Sequence, residues 1–475
     1  MNTPLRIARE EWRLLRRDRV AVIGVLLVLV LTAVAALTAW DQRRTAQLER
    51  TRHQSQVDHE FEAQPDRHPH RMVHYGHFAF RPIGALAAFD RGIDAYTGHT
   101  LYLEGHRQNS ANFGDVRQSS LLLRFGQLTP AFVLQVVAPL LLIFLGHASV
   151  AREREAGTLR LLLAQGLRPG QLVAGKLLAF SGVSALVLLP AAVALAWLAV
   201  ASAAPLSLAL TLLGAYGLWL ALWTLGVVAV SALAPRGRDA LISLLAIWAL
   251  TVVLVPRLAP EGVASALPLP TRIETDISVA RDLAAIGDSH DPDDPYFATF
   301  RKKVLEQYGV TRIEDLPVNY KGVLGMEGER LTSQLFDRHF ERSFALQEAQ
   351  LRRLDAFSLA SPMIALRRIS MVAAGTDLHA YRRFLEQAER HRYTLVQELN
   401  RLQAEKLTHA TDRGSLSARI GKEHWQDLAV FRFEPEAPSA TLRRAAPMAL
   451  VLACWLAVLA GLVALATRRL GGRAR

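Results

Sequence analysis

The chain has 475 residues, 51% of them apolar, with a formal net charge of +12 and a mildly positive mean hydropathy. A basic balance alone would admit a nucleic-acid binder. Here the apolar residues are gathered into uninterrupted blocks long enough to cross a bilayer, which excludes an ordinary soluble domain and points to an all-α polytopic membrane protein. The single cysteine, Cys454, lies in the last block, so neither large polar region is built on disulfides.

In chain order, residues 1–19 carry Leu5, Ala8, Trp12 and Leu15 on one helical stripe, with arginines 6, 9, 13, 16 and 17 on much of the remainder. This predicts an amphipathic helix in the membrane interface, with Trp12 at headgroup depth. Residues 20–40 form the first span; their apolar run is too long for a cleaved signal. Residues 41–128 lie outside the membrane, polar and charged to about Arg71, then rich in Gly, aromatic and apolar residues. That pattern predicts short irregular elements packed on something else. Residues 129–150 are the second span, 151–174 a loop, and 175–255 hold spans three to five, the fifth being the shortest.

A second outer region covers 256–445, followed by span six at 446–467 and a tail at 468–475. Within it, 325–357 and 376–407 each carry an apolar face at helical spacing and predict an outward helical hairpin. The segment between them, SPMIALRRISMVAAG, is apolar enough to rest on the membrane surface. The acidic stretch GDSHDPDDP (287–295) lacks EF-hand spacing and reads as a solvated loop. Arginines concentrate before span one, between spans two and three, between spans four and five, and after span six. With six spans these segments share one side, so both termini are expected in the cytoplasm and the chain in the cell inner (cytoplasmic) membrane.

Gly170 to Phe180 reads GQLVAGKLLAF and matches seven positions of a phosphate-binding loop. Leu177 stands where a magnesium-binding Ser or Thr belongs, and an amphipathic run precedes it instead of a strand. No ATP site is therefore expected in this chain. The larger segment AREREAGTLRLLLAQGLRPGQLVAGKLLA resembles the cytoplasmic loop of permease subunits of type-2 ABC transporters. The pattern is carried by Glu153, Glu155, Gly157 and Thr158, then a short helix with Leu159, Leu162 and Leu163, then Arg168 and Pro169, then Gly175 and Lys176. Read physically, Thr158 is placed to cap the short helix, its leucines form one docking face, and Lys176 is placed to snorkel to headgroups.

The resemblance implies a permease subunit of an exporter, paired with a second permease subunit and seated in lipid. A separate ABC ATPase would bind ATP and Mg and dock on this loop, the coupling helix. No nucleic-acid partner, no cofactor of its own and no enzymatic activity are expected. The outer regions resemble a subset of that family with a large uncharacterised extracytoplasmic insertion, in HYGHFAFRP (74–82), LEGHRQN (103–109), LRFGQLTPAFVLQVVAPLLL (123–142) and SPMIALRRISMVAAGTD (361–377).

Gln135 and Pro139 in span two are candidates for lining a transport path, with packing or a helix kink as the alternative. His68, His70, His74 and His77 are the candidate metal ligands, since His70 and His74 lie one helical turn apart. Pro69 and Gly76 disfavour a regular helix there, and nearby arginines oppose a cation, so no metal site is assigned. No H-E-x-x-H motif occurs, and the spans are almost free of ionisable residues apart from His147, which argues against an intramembrane enzyme. An alternative function is a mechanical transmitter, in which the same loop moves the outer helices without cargo.

Overall fold

The computed structural model describes residues 3–111, 128–289, 291, 293–412, 418–428 and 430–472. Residues 123–127 of the second-span phrase and residues 473–475 of the tail lie outside the described residues. Helix α1 (Thr3–Arg17) ends where the Asp18 carboxylate accepts from the backbone of Val20 at 2.9 Å and Ala21 at 3.4 Å, capping α2 (Arg19–Glu62). The helix that holds the first span does not stop at residue 40. It is 44 residues long in all, about 66 Å, and so extends well past a hydrocarbon layer of about 30 Å.

The polar half of α2 has a partner. It receives the edge of a two-stranded antiparallel sheet, β1 (His77–Phe80) and β2 (Thr100–Leu103), in the register His77↔Leu103 to Phe80↔Thr100. Gln54 donates to the Phe78 carbonyl at 3.0 Å and accepts from the Phe80 amide at 2.9 Å, acting as a substitute third strand. Such a hairpin is marginal alone. Ahead of it lies α3 (Pro69–Tyr75), a helix that the proline and glycine were expected to disfavour. Pro69 occupies the first helical position, where no N–H is needed, and Gly76 at φ +70° ends the helix.

The other spans are α4 (Pro130–Glu155), α6 (Pro169–Ala201), α7 (Leu206–Leu233), α8 (Gly237–Ala266) and α14 (Pro438–Gly472), with the short α5 (Thr158–Ala164) after α4. Among the described residues, six helices are long and apolar enough to cross a membrane. Two contain π-helical turns, Val133–Val137 in α4 and Ala249–Leu254 in α8, and each turn sits just before a proline. At the end of each turn the backbone N–H reaches five residues back, Ala138 to Val133 and Val255 to Leu250. The next residue in that pattern, Pro139 or Pro256, has no N–H to give, which orphans the carbonyls of Leu134 and Thr251. The Trp219 indole donates to Leu134 at 3.1 Å, and the Ser361 hydroxyl donates to Thr251. Inside hydrocarbon such replacements are obligatory.

Beyond the spans lie α9 (Arg272–Ile286), α10 (Pro295–Tyr308), α11 (Tyr320–Ala356), α12 (Pro362–Ala374) and α13 (Leu378–Lys406). α11 packs against α13, giving the expected hairpin. α12 corrects the expectation of a surface segment. Met363, Leu366, Ile369 and Val372 are buried in the same core as α7 and α14, so the helix inserts among the spans and closes the bundle at that end. Within 287–295, Asp294 caps α10 by accepting from Tyr296 and Phe297.

Candidate functional site at the loop between α4 and α6

The short helix α5 stands between two left-handed glycines, Gly157 at φ +72° and Gly166 at φ +88°. A Cβ at either would meet nothing within 4 Å, so backbone conformation, not crowding, calls for glycine. These two residues turn α5 into a separately aimed rod joined to both spans by tight bends. Thr158 does not cap it as expected. Its hydroxyl donates instead to the Glu153 carboxylate at 2.7 Å, and Gly157 is the cap residue.

The leucines divide differently from the expected docking face. Leu159 is buried against Val150, Leu172 and Val173, with Leu163 packed on the same cluster and Leu162 half-buried. They hold α5 to its own protein. The outward surface consists of Arg160, Leu161, Ala164 and Gln165, with Leu161 64% exposed. Leu161 was detectable in the sequence as the one leucine of α5 off the stripe of Leu159, Leu162 and Leu163.

The base of the loop is tied in four directions. Lys176 is 3% exposed and does not snorkel: its ammonium meets the Glu11 carboxylate of α1 and lies 3.4 Å from Glu153. Arg152 lies 3.5 Å from the other Glu11 oxygen. Arg154 donates to the carbonyls of Ala232 and Ala234 at the end of α7. Glu155 accepts from the Gly237 amide at 3.1 Å, at the start of α8. Ser231 of α7 accepts from the amides of Val150 and Ala151, at 3.0 and 3.2 Å. Arg168 and Pro169 open α6, where the Arg168 amide donates to Gln171 at 3.1 Å.

α1 is also bound more closely than an interfacial helix need be. A Cβ at Gly175 would lie 2.6 Å from Ile7, and one at Gly182 would lie 2.8 Å from the Trp12 ring. Trp12 therefore packs on α6. The glycine and lysine that mimic a phosphate loop serve this helix contact.

Gln135 and Pro139 are both buried in α4. Gln135 donates to the Tyr216 hydroxyl at 2.6 Å, Tyr216 to Ser370 at 2.9 Å, and Ser370 to Asp90. This satisfied chain joins two spans, the inserted helix α12 and the outer region. An apolar groove of about 600 Å³ opens nearby between α2 and α6, lined by Trp40, Phe89, Pro190 and Trp197 among others.

Of the four histidine candidates, two are committed elsewhere. His68 caps α3, its Nδ1 accepting from the His70 amide at 3.1 Å while Nε2 faces Asp412 at 3.2 Å. Accepting at Nδ1 requires a lone pair there, and burial lowers the pKa of this ring accordingly. His77 directs Nδ1 to the Phe78 carbonyl at 2.9 Å and Nε2 to Asp58 at 3.0 Å. His70 and His74 do converge, and His106, absent from the sequence candidates, joins them.

The outer helices rest on a buried ion cluster. Arg392 of α13, 1% exposed, donates to Glu329 at 2.6 Å, Glu389 at 2.7 Å, Ser333 at 2.7 Å and the Glu104 carbonyl at 3.1 Å. Residues 272–434, covering α9 to α13, match the family described as a domain of unknown function (DUF3526). No curated protein matches the chain.

Proposed function

We propose that this chain is the membrane-spanning permease subunit of an ABC exporter, driven by ATP hydrolysed in a separate ATPase subunit. The observation that carries the reading is the anchoring of α5. Its free face offers Leu161, while its base is bonded to α1, α6, α7 and α8. A push on such a rod moves four helices together, as a transmission element between a soluble motor and the spans requires. The resemblance of residues 151–176 to the coupling loop of type-2 permeases supplies the identity of the motor. On this reading the loop and both termini face the cytoplasm, and the chain works in the inner membrane beside a second permease subunit.

A second reading has its own support. α2 runs unbroken from the bundle into the outer region, and α12 is inserted among α7 and α14. The outer helices are thus continuous with the spans, and an ATPase-driven motion would reach them whether or not cargo moves. The test is co-purification in mild detergent of wild type and of Glu155→Ala/Gly157→Pro. Proline cannot adopt the positive φ of Gly157, so this variant breaks the bend. The reading requires an ATPase retained by wild type and lost from the variant; wild type without an ATPase in several detergents contradicts it.

A further inference from the structure

On the far side of the molecule from α5, three imidazoles meet beside the buried ion cluster. We propose that His70, His74 and His106 form an exchangeable binding site for a divalent transition-metal ion, with Zn²⁺ as the reference ion. His70 and His74 are one turn apart on α3, and their Nε2 atoms lie 3.2 Å from each other. A tetrahedral zinc with bonds of about 2.0–2.1 Å separates neighbouring nitrogens by about 3.4 Å. The pair is therefore close to chelating geometry without rebuilding the helix. His106 arrives from the turn after β2, and one ring nitrogen from each of the three lies within 4.8 Å of the others. Ring rotations of about 1 Å at the nitrogens complete the triangle.

The setting of His106 is the second, independent observation. Its φ is +63°, in the left-handed region that few non-glycine residues adopt. The turn is held there because the His106 amide donates to Glu329 at 3.0 Å. The same Glu329 oxygen lies 3.5 Å from His106 Nδ1, which directs the other ring nitrogen, Nε2, to the histidine side. A carboxylate behind a histidine is the usual outer support of a metal ligand, fixing its tautomer and raising its basicity. Glu329 is itself fixed by Arg392.

Of the three arginines expected to repel a cation, Arg71 is exposed to solvent and the other two are turned to partners. Arg67 lies over the Tyr75 ring at 5.7 Å, and Arg81 pairs with Asp94 at 2.8 Å. Three neutral imidazoles suit zinc and its copper and nickel neighbours, not magnesium or calcium. His74 is exposed and the other two are half-buried, so the ion has a route from solvent and a fourth position left for water. Metal would join α3 to the His106 turn and, through Glu329, to α11.

The experiment is a Zn²⁺ titration of the metal-free full chain in detergent, made without a polyhistidine tag, against a chromogenic chelator. Wild type should take up one Zn²⁺ per chain and gain thermal stability from it. His74→Ala and His106→Ala should each weaken binding at least about 100-fold and lose the thermal gain. His59→Ala, on the exposed side of α2, should change neither. His74 is exposed, so its truncation leaves the core intact and the variant can be compared as a folded protein. Absence of saturable binding tighter than about 100 μM, or equal binding by wild type and both variants, overturns the proposal and leaves a hydrogen-bonded histidine pair.

Discussion

Removing the Lys176 ammonium should release α1 from the bundle. Lys176 and Glu11 are 3% and 4% exposed, and they join elements 165 residues apart in sequence. At an effective dielectric of about 20, a unit charge pair about 3.4 Å apart gains about 5 kcal/mol, and loss of hydration opposes much of it. Lys176→Met leaves the Glu11 carboxylate buried, with the half-exposed Arg152 3.5 Å from it. Breaking one side of such a pair costs about 3–5 kcal/mol, and Arg152 places this case near 3. A cost of 3 kcal/mol raises the population with α1 detached by about 100-fold, because 1.4 kcal/mol is tenfold. Limited trypsin cleavage at Arg13, Arg16 and Arg17 reads that population when reclosing outpaces cleavage. Lys176→Met and Glu11→Gln should each cleave about 100-fold faster than wild type. The double variant, with neither member of the buried pair left alone and Arg152 still near Glu153, should return to within about fivefold. Single variants that cleave at the wild-type rate, or a double variant as fast as the singles combined, would refute the reasoning.

Trp219→Phe should lower the thermal stability of the bundle by about 1–3 kcal/mol, because the Leu134 carbonyl orphaned by Pro139 loses its donor. Adding Pro139→Ala should restore much of that loss by supplying a backbone N–H, and a double variant no better than the single would count against this origin of the π turn. Arg392→Met should cost about 3–5 kcal/mol in the outer domain, since Glu329 and Glu389 stay buried without their partner; hydrogen exchange of α11 and α13 reads it. Burial, with His77 nearby, pushes His391 down to about 4 from its usual 6.5. Its unfolded form takes up a proton that the folded form refuses, so stability is full above pH 6.5, falls as the pH drops and levels off below about 4. After screening this amounts to about 2–3 kcal/mol, and His391→Gln should flatten the pH dependence of outer-domain melting over that window.

The spans were legible because a run of apolar residues is a local signal with one physical meaning. Their outer limits were not, since a helix such as α2 can leave the membrane unbroken when polar side chains like Gln47 and Gln54 find backbone to bind. α12 was misplaced for a related reason. Thirteen residues bearing Arg367 and Arg368 look interfacial, and only the tertiary partners reveal insertion: Tyr216 for Ser370, and Asp355 for Arg368 at 3.0 Å. In the loop, the spacing of Glu153, Gly157 and Pro169 marked the bends, but the inward and outward faces of α5 depend on which leucines the spans cover. The partnership of Lys176 with Glu11 carries no local signature at all. His106 escaped notice because a lone histidine in a turn has no spacing to betray it, whereas His70 and His74 do.

A crosslink from the outward face of α5 reads out whether that face touches an ATPase, as proposed. With Cys454→Ser removing the only native thiol, Leu161→Cys can carry a photoreactive group, and Leu48→Cys on the far part of α2 serves as comparison. Illumination of native membranes followed by mass spectrometry identifies what each position touches. An adduct with an ABC ATPase is expected from position 161 and none from position 48. Adducts from position 161 with lipid or unrelated proteins alone, in membranes where the chain is folded and abundant, would contradict it.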